Sequence, residues 1–342
     1  MSQSAPDAED LIAIALAWRA AGQGVALATV VETWGSAPRA AGSQMVCNAT
    51  GGFAGSVSGG CVEVAVIEAA QQVIVTGRAQ LLSFGVSDEQ AWSVGLACGG
   101  RIRVFVESIG AADRQAELQS LQALRAAGQA VARITPLDGG PSWLLSRDDA
   151  GKAPAALAQV LRDALATDRA LLLLLDGVEH LVAPFNPPLR LVVVGAVHIA
   201  EFLCRMARIA GYQVTVVDPR AAFLRPERFP DVRLVGDWPR QAFDALRPDA
   251  RTAVVLLTHD PKIDDPALES VLPGPAFYVG ALGSTRTHAR RVERLAGQGL
   301  PASQLARIHG PAGLPVGART PAEIAISVLA QMTQVLRQGG AA

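Results

Sequence analysis

The sequence is poor in cysteine. It has four in 342 residues, at positions 47, 61, 98 and 204, and no two stand as a CxxC pair. Thiols so widely spaced argue against a disulfide framework and against a structural zinc site, and leave them reduced. An excess of charge of either sign is missing too: 30 Lys and Arg meet 31 Asp and Glu. No electrostatic footprint for nucleic acid or an anionic membrane follows, so partners are selected by shape and chemistry. Long hydrophobic runs are absent as well. The stretch Ala170 to Leu175 (ALLLLL) falls far short of the roughly 20 residues a membrane-spanning helix needs. The opening MSQSAPDAED is acidic and polar, where a secretory signal is basic and then apolar. The expectation is a cytoplasmic protein with no membrane and no nucleic-acid partner.

Half of the residues are hydrophobic, and the length suits two domains, each with its own core. Leu11, Ile12, Ala15, Leu16 and Trp18 recur at helical spacing, and strand-like sequence follows at 25–33. A hairpin is expected from 44–47 and 53–57 around an Asn-Ala-Thr-Gly-Gly turn. Residues 61–76 return to helical spacing until Gly77 stops them, and 101–107 (RIRVFVE) reads as a strand. These elements form an N-terminal mixed α/β domain, 1–110. A connecting region, 111–186, reads as a helix and short strands at 130–135, 143–146 and 170–175 without a chemical motif. Pro184-Phe-Asn-Pro-Pro188 reads as an irregular boundary. From 187 to 342, β-branched runs at 189–194, 213–217, 232–235, 253–257 and 277–279 alternate with helices, the pattern of a C-terminal Rossmann-like parallel-sheet domain. Thr320-Pro-Ala-Glu323 is a capping box opening the last helix. The fold class expected is α/β.

The stretch GSVSGGCVE puts Cys61 where a glycine loop becomes a helix. Glycines let main chain approach a ligand, and a helix start offers N–H groups and a positive dipole end, so the turn Ser58, Gly59, Gly60 suits an anion. The same dipole favours thiolate at Cys61, a nucleophile or a soft-metal ligand. Cys98 sits in a second such loop with Gly99 and Gly100. The alternative is that both thiols are small buried residues and the glycines only make turns. Cys47 and Cys204 read as packing residues. Glu63 either orients a ligand or is an acid in a first helical turn, where acids are favoured.

In the second domain, Gly195-Ala-Val-His198 lies between a strand and a helix, and Asp218 ends the next strand about 20 residues on, where a ribose-binding acid stands. Val197 occupies the place of a glycine that would admit a pyrophosphate, so NAD(P) binding is not expected. His198 is placed to meet a phosphate or cap the helix. His259 follows a strand and either faces the crevice or is a hydrogen-bonded loop residue. Arg286, Arg290, Arg291 and Arg294, after Gly283-Ser284, read as a solvated face.

GSVSGGCVE, CGGRIRVFVE, VVVGAVHIAEFL, VVDPRAAFLRPERFP, LLTHDPKIDDPAL, YVGALGS and GLPVGARTPAEIAISVLAQM occur here in order. This series resembles the xanthine dehydrogenase accessory family, the XdhC/CoxI type, over about residues 10–110 and 187–337. The resemblance implies a chaperone rather than a turnover enzyme. Such a chaperone binds the molybdenum cofactor (molybdopterin) and supports its sulfuration by a cysteine desulfurase. It then inserts the product into an apo molybdenum hydroxylase subunit, such as that of xanthine or carbon monoxide dehydrogenase. It also implies Cys61 and Cys98, in the SGGC and CGG motifs, as the residues at the metal. Ser58, Gly59, Gly60, Glu63, Gly99, Gly100, Gly195, His198, Asp218 and His259 are the candidate cofactor contacts that the residue patterns themselves suggest. The alternative is an NAD(P)-dependent Rossmann oxidoreductase in which Asp218 and the Gly195 turn hold the nucleotide and His259 assists proton transfer. The oligomeric state, a homo-oligomer included, is left open.

Overall fold

The computed structural model describes residues 10–35, 39–60, 62–85 and 100–338. The chain divides at Pro187 and Pro188 into two units, Glu9–Pro187 and the part from Pro188 onward.

In the first unit, α1 (Leu11–Ala20) starts at Asp10, whose carboxylate accepts the Ala13 N–H at 3.1 Å. Then follow β1 (Val25–Trp34), β2 (Gln44–Asn48), β3 (Phe53–Gly55), α2 (Glu63–Thr76), β4 (Gln80–Phe84) and β5 (Arg101–Ser108). The strands form one antiparallel sheet in the order β3-β2-β1-β5-β4. Successive side chains of a strand face opposite ways. Accordingly Ala26, Ala28 and Val30 of β1 join a core with Val66, Ala70 and Val73 of α2, while Val25 and Leu27 join the core of α1. Burial on both faces explains why β1 is apolar at every position from Val25 to Val31 except the buried Thr29. Gly77 ends α2 in the left-handed conformation, as its sequence predicts.

The connecting region belongs to this unit. It contributes α3 (Ala112–Ala126), β6 (Val131–Pro136), β7 (Trp143–Ser146), α4 (Ala155–Thr167), β8 (Leu171–Leu175) and β9 (Val178–Phe185). The strands make a second antiparallel sheet, β7-β6-β9-β8. Leu118, Leu121 and Val131 share a core with Ile12, Leu27 and Ile109. Pro184 and Phe185, expected to be irregular, are the last residues of β9, opposite Ala132 and Val131. The pairing of β8 ends at Val182, so Pro184 sits on a strand that is an edge on that side, where proline is tolerated.

The second unit contains β10 (Arg190–Val194), α5 (His198–Ile209), β11 (Gln213–Val217), β12 (Arg233–Val235), α6 (Pro239–Leu246) and β13 (Thr252–Leu256). It continues with α7 (Pro261–Val271), β14 (Tyr278–Ala281), α8 (Thr285–Gly297), α9 (Ala302–Leu305), β15 (Ile308–His309) and α10 (Pro321–Gln338). All strand pairs are parallel, in the order β12-β11-β10-β13-β14-β15. Counted from β10 this is 3-2-1-4-5-6, the Rossmann order, with its switch point between β10 and β13. Leu191 and Val193 pack with α5 and α10 on one face, and Val192 and Val194 with α6, α7 and α8 on the other. At the start of α10 the capping box forms: the Thr320 N–H donates to Glu323 at 2.9 Å and the Glu323 N–H to the Thr320 hydroxyl at 3.3 Å. The fold is therefore α/β, with a mixed first unit and a Rossmann-like second one. Among the described residues no helix is long and apolar enough to cross a membrane.

Candidate functional site

Gly59 and Gly60 have φ of 97° and 122°, and a Cβ at Gly60 would meet nothing within 4 Å. The glycine there answers to backbone conformation, not to crowding. Two left-handed residues in succession turn consecutive N–H groups toward one point. That point is the carboxylate of Glu63. Its Oε1 accepts the N–H groups of Ser58 and Gly59 and the Ser56 hydroxyl, each at 2.9 Å. Its Oε2 accepts the Gly60 and Val62 N–H groups at 2.8 and 3.2 Å and the Ser58 hydroxyl at 2.6 Å. Glu63 is buried, at 8% exposure. Burial alone would raise its pKa, but the hydrogen bonds from Ser58, Gly59 and Ser56 hold it down at about 2. The amides expected to receive a ligand anion thus hold the chain's own carboxylate, and the helix proper begins at Glu63, two residues after Cys61.

Cys61, Cys98 and Gly99 lie outside the described residues. Gly100 is described and buried, immediately before β5. Cys47 on β2 and Cys204 on α5 are buried in their cores, where burial pushes the thiols up to about 11 and about 12. Neither is a nucleophile at neutral pH. Among the described residues no group of three His, Cys, Asp or Glu side chains could hold a metal ion.

At the carboxyl edge of the Rossmann sheet, Gly195 has φ 109°, and a Cβ there would lie 2.5 Å from the Thr258 Cγ2. The turns after β10 and β13 touch at this glycine. His259, exposed and left-handed at φ 60°, lies beside Gly283, whose absent Cβ would sit 3.8 Å from its Nδ1. Gly195 and His259 therefore come to one edge. Asp218 is at the same edge but fully buried. Its Oδ2 accepts the Ala196 N–H and Arg220 Nη2, both at 2.8 Å, and its Oδ1 the N–H and Nε of Arg220, both at 2.9 Å. His198 opens α5, packs edge-on against Phe202 with ring centres 5.2 Å apart, and stands 3.5 Å from Glu201. It is exposed and does not cap the helix through its side chain.

The arginine run of α8 is not uniformly solvated. Arg286 and Arg290 are exposed and Arg294 pairs with Asp265 at 2.8 Å, but Arg291 is 2% exposed. Its Nη2 donates to the Leu282 carbonyl at 3.0 Å and approaches Asp264 at 3.5 Å. Asp264 in turn accepts the Thr258 hydroxyl at 2.5 Å, and burial raises its pKa. This pair was missed from sequence. The available signal was that Arg291 shares a helical face with Leu295, four residues on, which is buried.

Comparison with known proteins places both units. The model of the XdhC and CoxI family matches residues 18–85, and that of the XdhC Rossmann domain matches residues 191–332. The chain is 30% identical to the molybdenum cofactor insertion chaperone PaoD of Escherichia coli (strain K12), over 92% of this chain and 84% of that one. It is 27% identical to a probable xanthine dehydrogenase subunit of Bacillus subtilis (strain 168), over 91% and 93%. A crystal structure described as a xanthine dehydrogenase from Bacillus halodurans shares the fold, with a TM-score of 0.75 and 23% identity over 96% of each chain.

Proposed function

The chain belongs to the XdhC and CoxI family, and on that premise we propose that it is a maturation chaperone that binds the molybdenum cofactor and delivers it to an apo molybdenum hydroxylase. The observation that carries this reading is the 30% identity to a molybdenum cofactor insertion chaperone along 92% of the chain. In the proposal, Cys61 and Cys98 meet the metal end, because molybdenum held by a dithiolene is a soft centre that suits thiolate. The cofactor supplies the redox metal of the recipient enzyme, and this chain supplies binding and transfer. A cysteine desulfurase is the proposed source of sulfur, and a hydroxylase of the xanthine or carbon monoxide dehydrogenase kind the proposed recipient. The handover interfaces are small and transient.

The cofactor's phosphate does not fit the Ser58–Val62 turn as it stands, since Glu63 takes its amides. The Rossmann strand order alone would suit a dinucleotide, but the Gly195 turn carries Val197, and the Asp218 carboxylate is buried under Arg220. These two features weigh against the oxidoreductase reading.

The test is purification from a host that makes the cofactor, followed by molybdenum analysis and pterin fluorescence after oxidation. Wild type and Cys204→Ala should carry cofactor, and Cys61→Ala should lose most of it with its melting temperature unchanged. Equal occupancy in wild type and Cys61→Ala would return Cys61 to a packing role. Absence of molybdenum and pterin from all three would sink the chaperone reading.

A further inference from the structure

Glu63 is the first residue of α2, and its side chain turns back to collect the donors on both sides of position 61. The residue before the helix, Val62, provides no side-chain cap. Glu63 takes the N–H groups of Ser58, Gly59, Gly60 and Val62, sharing those of Gly59 and Val62 with the Ser56 and Ser58 hydroxyls at 3.1 and 3.2 Å. Each of its oxygens accepts three donors, one hydroxyl and two N–H groups. A carboxylate offers about four lone-pair sites in all, so this one is saturated. Bonds to an ionised acceptor are roughly twice as strong as neutral ones. A free anion would also have to displace a competitor tethered to the same turn, whose effective concentration reaches about the millimolar range or more.

We propose that Glu63 is the resident anion of the Ser58–Val62 turn. It is a positioning residue that fixes the main chain on either side of Cys61 and closes these amides to phosphate. The amides of Ser58, Gly59, Gly60 and Val62 then take no part in holding the cofactor, and its phosphate is received elsewhere. That last consequence rests on the proposed function; the role of Glu63 in the turn does not.

The experiment compares the full chain as wild type, Glu63→Ala and Glu63→Gln. Melting temperature is measured in potassium chloride and in inorganic phosphate or formate at matched ionic strength, and cofactor occupancy in parallel. Wild type should melt at the same temperature in either salt. Glu63→Ala should melt several degrees lower in chloride and recover part of the loss, saturably, in phosphate or formate, because the vacated amides then take an anion. Glu63→Gln keeps the side-chain volume but places an N–H₂ against N–H donors. It should show the same pattern to a smaller degree and serves where the alanine variant does not fold. Cofactor retention by Glu63→Ala should fall toward that of Cys61→Ala and rise again with formate, a rescue that general loss of packing would not give. An equal response of wild type and variants to phosphate would overturn the proposal, as would a variant as stable as wild type in chloride. If wild type holds no cofactor, the chaperone reading fails, yet the melting comparison still decides what Glu63 does.

Discussion

The Arg220 guanidinium lies along the Asp218 carboxylate, Nε 2.9 Å from Oδ1 and Nη2 2.8 Å from Oδ2, while the Ala196 N–H reaches Oδ2 from the glycine turn at 2.8 Å. In a dinucleotide-binding Rossmann domain the acid at this place accepts ribose hydroxyls. Here it holds the turn and an arginine. Calorimetric titration with NAD(H) and NADP(H) is therefore expected to show no binding tighter than the high-micromolar range. Low-micromolar binding that Asp218→Ala abolishes would restore the oxidoreductase reading.

The same pair sets a dependence on pH. Burial pushes the Asp218 carboxyl up, but hydrogen bonds from Arg220 and the Ala196 N–H outweigh it and hold the group below its ordinary range. A carboxyl lowered by folding adds stability that is present above its unfolded pKa, about 3.9, and is lost as pH falls toward the folded value. Asp218→Asn places an amide N–H₂ among donors and should cost about 1–3 kcal/mol at neutral pH. The gap from wild type in urea midpoint should narrow as pH drops below about 4. A gap that stays constant from neutral pH into the acid range would show that charge is not what Asp218 contributes.

Much of the second unit is legible in the sequence because its signals are local. The β-branched runs become β10 to β14, and Thr320 to Glu323 forms the cap it predicts. β15 is two residues long and carries no period to read. In the first unit, Leu157, Leu161, Ala164 and Leu165 stand at the helical spacing of α4, a signal present but not picked out. β9 is not read from the sequence at all, and Pro184, whose tolerance depends on where β8 stops, disguises its end. The site is less legible than the fold. Glu63 looks like any acid in a first turn until two left-handed glycines aim the amides at it, and Arg291 looks solvated until Asp264, 27 residues earlier in the chain, is packed beside it. Such pairings are fixed by tertiary contact, to which period and composition are blind.

The connecting region is tied to the first sheet by a buried charge cluster, and this gives a prediction about stability. Arg133 on β6 and Glu107 on β5 are 2% and 1% exposed and form an ion pair. Arg133 Nε also binds Glu117 of α3 at 2.8 Å, and Arg114 pairs with Glu107 while donating to the Gly140 carbonyl at 2.8 Å. Ser142 joins both sides, accepting Arg133 Nη2 at 2.8 Å and donating to Glu117 at 2.5 Å. Two cations meet two anions, so the cluster is neutral as built. Removing one member leaves a charge without its partner out of water, which typically costs about 3–5 kcal/mol. Arg133→Met and Glu107→Leu should each destabilise by about that much. The double variant should lose less than the sum of the two, with a coupling of about 0.5–3 kcal/mol, since neither stranded charge of the pair remains. Urea unfolding of wild type, both single variants and the double variant measures the cycle. Strict additivity would mean that the two side chains stabilise the unit independently, through packing and their other partners, and not as an ion pair.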